Sequence, residues 1–545
     1  MLPYHYRVRA ALSLLIFVIP FFLTGCGGGG NSVVSIKGAV ATPSVPIYWS
    51  QRTRASVQAP TSALSATITF QAASPTGTDV VYTVARNSAP AAYTASYASP
   101  TSVEVGACVM IVRFYASTDG SGNPTAVATA SIYISPQGVV QHPDGTPLGS
   151  VGSASTLASV SIPPGQTVEA GQTLTVLVQA SDLNGNLIPL TPGSVHLTVA
   201  AGQGYGQLNS AGDLLGVSAG TVTLTASADG FTSVPQTIQV NSLTINPSRS
   251  LAISNNAMAM NPVSGNIWVS VTAAANSYAD DVIEVSPTTG AVLRSIAMGA
   301  EPNALAISSD GTQLYASIKN QETIKQVDLT TGIVVSSFVI QNPQGFVNNL
   351  AVQPNQPDVV AMSLGDGQIQ SYKGGLQQSV QPTVPFAGIS LGWYSPTVLY
   401  TYNSYDTGYD LDQFTASSSG LVPKADLQGR LMGFTTVMHI FGNNVYGSNG
   451  SVVNGATGNL LGHFSVQGGT DVAVNTTDNV AIFATTGEAT NFNVFSGNTY
   501  TPTISFIFSG LTTQSSVSGM ALYASKGLAF RTFDHIYFID QCPGL

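Results

Sequence analysis

The chain has 545 residues, with 16 Lys and Arg against 26 Asp and Glu, a formal net charge of −10. So acidic a balance with so few cations excludes the basic footprint that nucleic-acid binding needs, and no nucleic-acid partner is expected. Charged residues are only 8% and hydrophobic ones 44%, with 55 Gly and 30 Pro, which describes an all-β chain with many turns and length for three or four domains.

At the start, Arg7 and Arg9 precede an apolar run from Ala10 to Phe22, and Leu23-Thr24-Gly25-Cys26 follows. A basic flank, a short hydrophobic core and a small-residue junction make residues 1–26 a secretory leader. The run is too short to favour a spanning helix. Leu-Thr-Gly-Cys resembles the bacterial lipobox, and the resemblance implies a diacylglycerol and acyl lipid on Cys26, with no other cofactor expected. Gly27 stands where the inner-membrane retention signal would have Asp, which implies an outer-membrane lipoprotein, on the cell surface or the periplasmic face. Residues 27–34, glycine-rich, form a flexible tether. Loss of Arg7 and Arg9 leaves 14 cations against 26 anions, or −12, so membrane contact is expected through the lipid.

Residues 35–145 offer the strands LSATITFQ, VVYTVAR, SVEVGACVMIVRFYAS and TAVATASIYI, which fit an Ig-like β-sandwich. Residues 135–155, rich in Pro, Gly and Ser, are expected to link it to the next module. In 155–241, TLTVLVQASD alternates as one half-buried strand up to Asp182, and Leu183-Asn184-Gly185-Asn186 turns the chain. Hairpin turns are expected at Ser210–Gly212 and at Ser218–Gly220. The A-S-D-x-x-G-N turn and the run GVSAGTVTLTA resemble the bacterial Ig-like repeats of surface proteins, which implies a spacer or stalk unit.

From Ala300 to Gln341 the runs ALAIS, QLYAS, IKQVDL and GIVVSSFVI are separated by turn chemistry at Ser309-Asp310-Gly311, Lys319–Thr323 and Leu329-Thr330-Thr331-Gly332. Four strands in about forty residues are one blade of a β-propeller. The turn glycine recurs at Gly290, Gly332, Gly375, Gly420, Gly458, Gly497 and Gly544, at intervals of 42, 43, 45, 38, 39 and 47, so residues 243–545 read as seven blades. Arg249-Ser250-Leu251-Ala252-Ile253 has the form of Arg294-Ser295-Ile296-Ala297-Met298, while the last unit stops after its third strand at Asp540. The segment near 247–254 is therefore expected to supply the missing outer strand and close the propeller. The run EPNALAISSDGTQLYAS…QVDLTTGIVV resembles the repeat of YVTN-type seven-bladed propellers, found in surface-layer and secreted proteins. That resemblance implies fold more than activity.

Of three cysteines, Cys108 shares a strand face with Met110, Val112 and Phe114, so alternation puts its thiol in the first core. Pairing with Cys542 is the alternative an oxidising compartment leaves open. The histidines His5, His142, His196, His439, His463 and His535 show no metal-ligand spacing. His439, in TTVMHIF, is expected on an inner strand as a core residue or a channel ligand, and Asp310-Gly311 as a turn. The loops between second and third strands gather on one face and carry the candidate binding residues: Tyr278, Asp280 and Asp281; Lys319, Asn320 and Glu322; Asp366; Tyr405 and Asp406; Glu488; Arg531 and Asp534. Carboxylates from several blades suit a cation or a basic partner, and tyrosines suit sugar or peptide recognition. The function expected is a non-catalytic, lipid-anchored envelope protein whose Ig-like stalk presents the propeller to a protein or polysaccharide partner. The alternatives are a lactonase-type hydrolase with a metal at the channel mouth, which related propellers suggest, and a periplasmic scaffold for outer-membrane assembly.

Overall fold

The computed structural model describes residues 39–49, 63–72, 78–87, 93–152, 155–201, 204–341, 346–382, 390–404, 408–486, 490–511 and 516–545. The leader and tether with Cys26, and the candidates Tyr405, Asp406 and Glu488, lie outside the described residues. Among those described, every regular element is a strand, and no helix is long and apolar enough to cross a membrane.

In the N-terminal part a five-stranded sheet runs Val80–Ala85, Ser65–Gln71, Gly106–Tyr115, Ala126–Ile134 and Val140–Gln141. Its inner face packs on the pair Ser44–Trp49 and Tyr93–Ala98 through Ile47, Trp49, Ile68, Phe70, Val112 and Phe114. Cys108 packs at the edge of this core as a free thiol, and burial pushes it up to about 12. Within the stretch expected to be a linker, Val140 and Val151 enter the same core, and Val151 bridges both Ile47 and Leu187.

The next sheets run Thr167–Glu169, Gln236–Asn241, Gly220–Ala228 and His196–Val199 on one side, and Thr173–Leu174, Leu214–Gly216 and Gly206–Leu208 on the other. TLTVLVQASD is not one strand. Thr173–Leu174 pairs in the three-stranded sheet, and Gln179–Ser181 pairs with Ser159–Ser161; the run changes partners where Gln166 holds the Leu177 amide. The hairpin at 210–212 forms between Leu208 and Leu214, whereas 218–220 carries the chain from one sheet to another rather than folding it back. Asp182 organises the turn that follows. Burial works against its charge, but bonds from Ser155, Asn186 and the amides of Asn184 and Asn186 prevail and lower it to about 2.

From Asn255 onward the described residues form seven consecutive antiparallel sheets. Their first strands are Asn255–Met260, Pro302–Ile307, Val347–Val352, Ser390–Ser395, Met438–Phe441, Gly469–Asn475 and Ser518–Tyr523. Apolar side chains of each sheet interlock with those of the next: Trp268 and Val282 with Leu314 and Ala316, Tyr315 with Tyr372, Ala361 with Phe414, Tyr400 with Val445, Tyr446 with Phe483, and Phe492 with Phe530. The last sheet then packs on the first, Ile536 and Phe538 against Ile267 and Ile283. Second strands such as Ile267–Val271 and Gln313–Ile318 are covered on both faces, so they are buried almost throughout. The serine of QLYAS, Ser317, is buried with them, and its hydroxyl accepts from the Ala304 amide.

The seventh sheet takes its outer strand from the chain's earlier part, Arg249–Ala252 pairing antiparallel with His535–Ile539, as the repeat phase requires. Arg249 donates to both carboxylate oxygens of Asp540, which Tyr523 also bonds, and to the Pro287 carbonyl at 2.8 Å. Leu243–Ile245 adds a fifth strand to the sixth sheet, parallel to Pro502–Phe508, and so covers an edge that would otherwise be open. In the sixth sheet the left-handed turn position falls on Tyr500, φ 58°, not on Gly497; 500 − 458 restores the interval of 42.

Candidate functional site

The first strands of sheets one to five and seven, with Arg531 from a second strand, line an open cavity of about 420 Å³. What turns polar side chains into it is a recurrent backbone irregularity. In sheets one, two, three, six and seven the register shifts by an inserted residue near the start of the first strand. A β-bulge of this kind re-aims the side chain it frees. The bulges fall at Asn256, at Asn303 with Ala304, at Asn348, at Thr470 and at Gly519. A buried hydroxyl at the end of the neighbouring strand fixes several first strands: Ser270 accepts from the Ala257 amide at 2.8 Å, Ser317 from Ala304 at 3.0 Å, and Ser448 from Val437 at 3.1 Å.

The asparagines tie sheet to sheet. Asn256 Nδ2 donates to Glu301 and to the Pro302 carbonyl, both at 2.9 Å, and Asn303 Nδ2 donates to the Val347 carbonyl at 3.2 Å. Trp393 lines the cavity and anchors its indole N–H on the Ala351 carbonyl at 3.2 Å. His439 lies on the first strand of sheet five and bonds Asp471 of sheet six, Nε2 to Oδ1 at 2.6 Å. Asp471 is 3% exposed while the histidine keeps 30% of its side-chain surface open. Burial alone would lower the His439 pKa, but the charge and hydrogen bond of Asp471 outweigh it and raise the value. Arg531 Nη1 donates to Asn255 Oδ1 at 3.1 Å; burial lowers its pKa, partly offset by the charge of Asp471.

Of the described loop candidates, Arg531 lines this cavity, and the others stand outside it. Their bonds are local. Asp281 accepts from Ser295 of the outer strand, Lys319 pairs with Glu301 at 2.6 Å, Asp366 receives the Gln368 amide, and Asp534 receives the Thr532 hydroxyl with His535 Nδ1 3.2 Å away. Tyr278, Asp280 and Asn320 occupy left-handed turn positions, and the Glu322 carbonyl takes the Ile340 amide. Among the described residues no three His, Cys, Asp or Glu gather as a metal set. Asp310 keeps its turn role: Ser308 and Thr312 donate to its carboxylate and hold its pKa below the usual range. Sequence reading missed Asp471, Asn256, Asn303, Asn348 and Trp393. A usable signal existed, since an Asn recurs one or two residues before the apolar part of the first strand in NNAMAM, PNALAI and VNNLAV.

Around the mouth, at the end where first strands begin and second strands finish, large apolar side chains stand in water. Phe346 is 62% exposed, Met432 57%, Phe434 56% and Phe533 68%. They come from the approaches to sheets three and five and from the second turn of sheet seven.

No protein-family description and no curated protein matches the chain. Among solved structures it is similar to the β-propeller domain of Cps50 (Swd1) from Myceliophteria thermophila, with 12% identity and a TM-score of 0.43, over 54% of this chain and 98% of that one.

Proposed function

We propose that this chain is a lipid-anchored envelope protein in which residues 243–545 form a seven-bladed β-propeller of YVTN type. Ig-like modules at 35–145 and 155–241 hold the propeller off the membrane, and its channel-mouth face binds a protein or glycan partner without catalysis. The observation that carries the binding role is the set of exposed side chains Phe346, Met432, Phe434 and Phe533 around one mouth. Large apolar side chains exposed at one end of successive sheets suit an interaction face, and aromatic residues are enriched among those that carry binding energy. The succession of interlocked sheets, returning from the seventh to the first, supports the propeller. The lipobox resemblance at Leu23–Cys26 supports the anchor, with lipid on Cys26 and an outer-membrane, surface-facing location.

Binding is tested on glycan and protein arrays with the detergent-solubilised full chain. A partner should be retained by the parent protein and lost on combined Phe346→Ser, Phe434→Ser and Phe533→Ser substitution. Equal retention by the substituted chain refutes the mouth as the binding face. Cys26→Ser should move the protein from the membrane to the soluble envelope fraction, and persistence in the membrane would refute the lipid anchor.

A further inference from the structure

We propose that the cavity between the first strands is a carboxylate site for an acidic saccharide, taking a uronic-acid unit of a polysaccharide; this rests on the glycan form of the reading above. The central observation is a guanidinium with no carboxylate partner. Among the described residues no acid lies within ion-pair distance of Arg531, whose bonded neighbour is the neutral amide of Asn255. One amide satisfies one of five N–H donors. The nearest opposing charge, Asp471, is already committed, with Oδ1 taking both His439 at 2.6 Å and the Val472 amide at 2.8 Å. Arg531 is therefore left as a cation without an ion-pair partner at the cavity wall, in a chain whose net charge is −10. A cleft lined by one sign of charge raises the local concentration of the opposite ion, and a guanidinium fork matches a carboxylate bidentately.

The remaining groups suit a polyol. Asn256, Asn303 and Asn348 each direct Nδ2 at protein oxygens, and among the described residues no donor is paired with their Oδ1 atoms. Three asparagines from three successive first strands thus line the cavity, and their amide oxygens are acceptors for hydroxyl donors. Trp393 supplies a flat apolar face beside them, of the kind a sugar ring packs on. A peptide carboxylate would use the guanidinium but bring few hydroxyl donors to that row. The charged and titratable groups around the cavity are Arg531, His439 and Asp471, with Glu301 behind Asn256 and held by Lys319.

The test is calorimetric titration of the detergent-solubilised full chain with three probes: trigalacturonate, its full methyl ester, and an N-acetylated trialanine with a free carboxylate. Trigalacturonate should bind at least about tenfold more tightly than the ester, which removes only the charge. Arg531→Gln should abolish that preference and Arg531→Lys should keep part of it. Should Arg531→Gln not fold, added salt on the parent chain gives the same reading, because affinity for the acid must fall while any affinity for the ester does not. Equal binding of acid and ester overturns the carboxylate site and leaves the glycan reading standing. Tighter binding of the peptide, or no binding of trigalacturonate, overturns the acidic-saccharide assignment, and the array result then decides the mouth by itself.

Discussion

His439 and Asp471 meet across the step from sheet five to sheet six, where the histidine is the more open partner and the aspartate is nearly sealed. Because the folded chain raises the His439 pKa, it holds the proton more tightly than the unfolded chain does. The resulting stabilisation is complete below the unfolded value, about 6.5, and disappears as pH rises through the higher folded value. His439→Gln should therefore lower the melting temperature at about pH 6, with the gap to the parent protein narrowing toward about pH 9. A pH-independent gap in scanning calorimetry would show that the ring acts by packing. The histidine was legible in the sequence as an inner-strand residue with a possible channel role. Its partner was not, because the two are 32 positions apart on neighbouring sheets and no motif spacing records a contact made between repeats.

The closing strand shows the opposite case, an element readable from sequence because a repeat brings its contacts with it. Arg249 and Arg294 occupy matching places in R-S-L-A and R-S-I-A, and each outer-strand arginine reaches a carboxylate of its own sheet, Asp540 and Glu284 respectively. Arg294 also lies over the Trp268 ring at 4.8 Å. The Arg249 bond, then Tyr523, lowers the Asp540 pKa against the effect of burial. That contribution is present above the unfolded carboxylate value and is lost as pH falls through the lower folded one. Arg249→Ala should cost about 1–2 kcal/mol, the range for charged hydrogen bonds discounted for partial exposure. Urea denaturation at neutral pH measures it, and the deficit should shrink in acid. Ser270→Ala removes the hydroxyl that takes the Ala257 amide and reaches the Asn303 carbonyl. Leaving a buried amide unpaired should cost about 1–3 kcal/mol, and an unchanged denaturation midpoint would mean the bulge at Asn256 holds without it. The hydroxyl was hidden from a pattern search because a buried serine looks like the polar half of an alternating strand. Gly497 misled for a related reason: the turn of sheet six puts Tyr500 in the left-handed position, so counting glycines gave the wrong phase.

For the whole molecule, the decisive joint lies between the sheets formed by residues 155–241 and the sixth sheet of the C-terminal part. Residue 243 reads in sequence as the start of the C-terminal part, and Leu243–Ile245 is a strand of its sixth sheet, a place the repeat phase did not give it. A parallel pairing between segments some 260 positions apart leaves no turn signal, so sequence alone had nothing to mark it. The joint is reinforced where the Ser505 amide donates to the Val217 carbonyl at 2.7 Å and Ser509 bonds Asn246 at 2.6 Å. Gly171 sits against Ile504, its φ is +81°, and a Cβ there would stand 2.3 Å from Ile504 Cδ1. The isoleucine tip can swing aside, but the left-handed backbone cannot accept a branched side chain without strain of about 1–3 kcal/mol. Gly171→Val should therefore loosen the contact and speed protease cleavage within 241–248, while Gly165→Val, also left-handed but in open space, carries the backbone strain without the clash. If both variants are cleaved alike, backbone strain explains the change. If Gly171→Val alone is cleaved faster, packing on Ile504 holds the two parts in one orientation, and the mouth is presented at a fixed angle to whatever the N-terminal part is attached to.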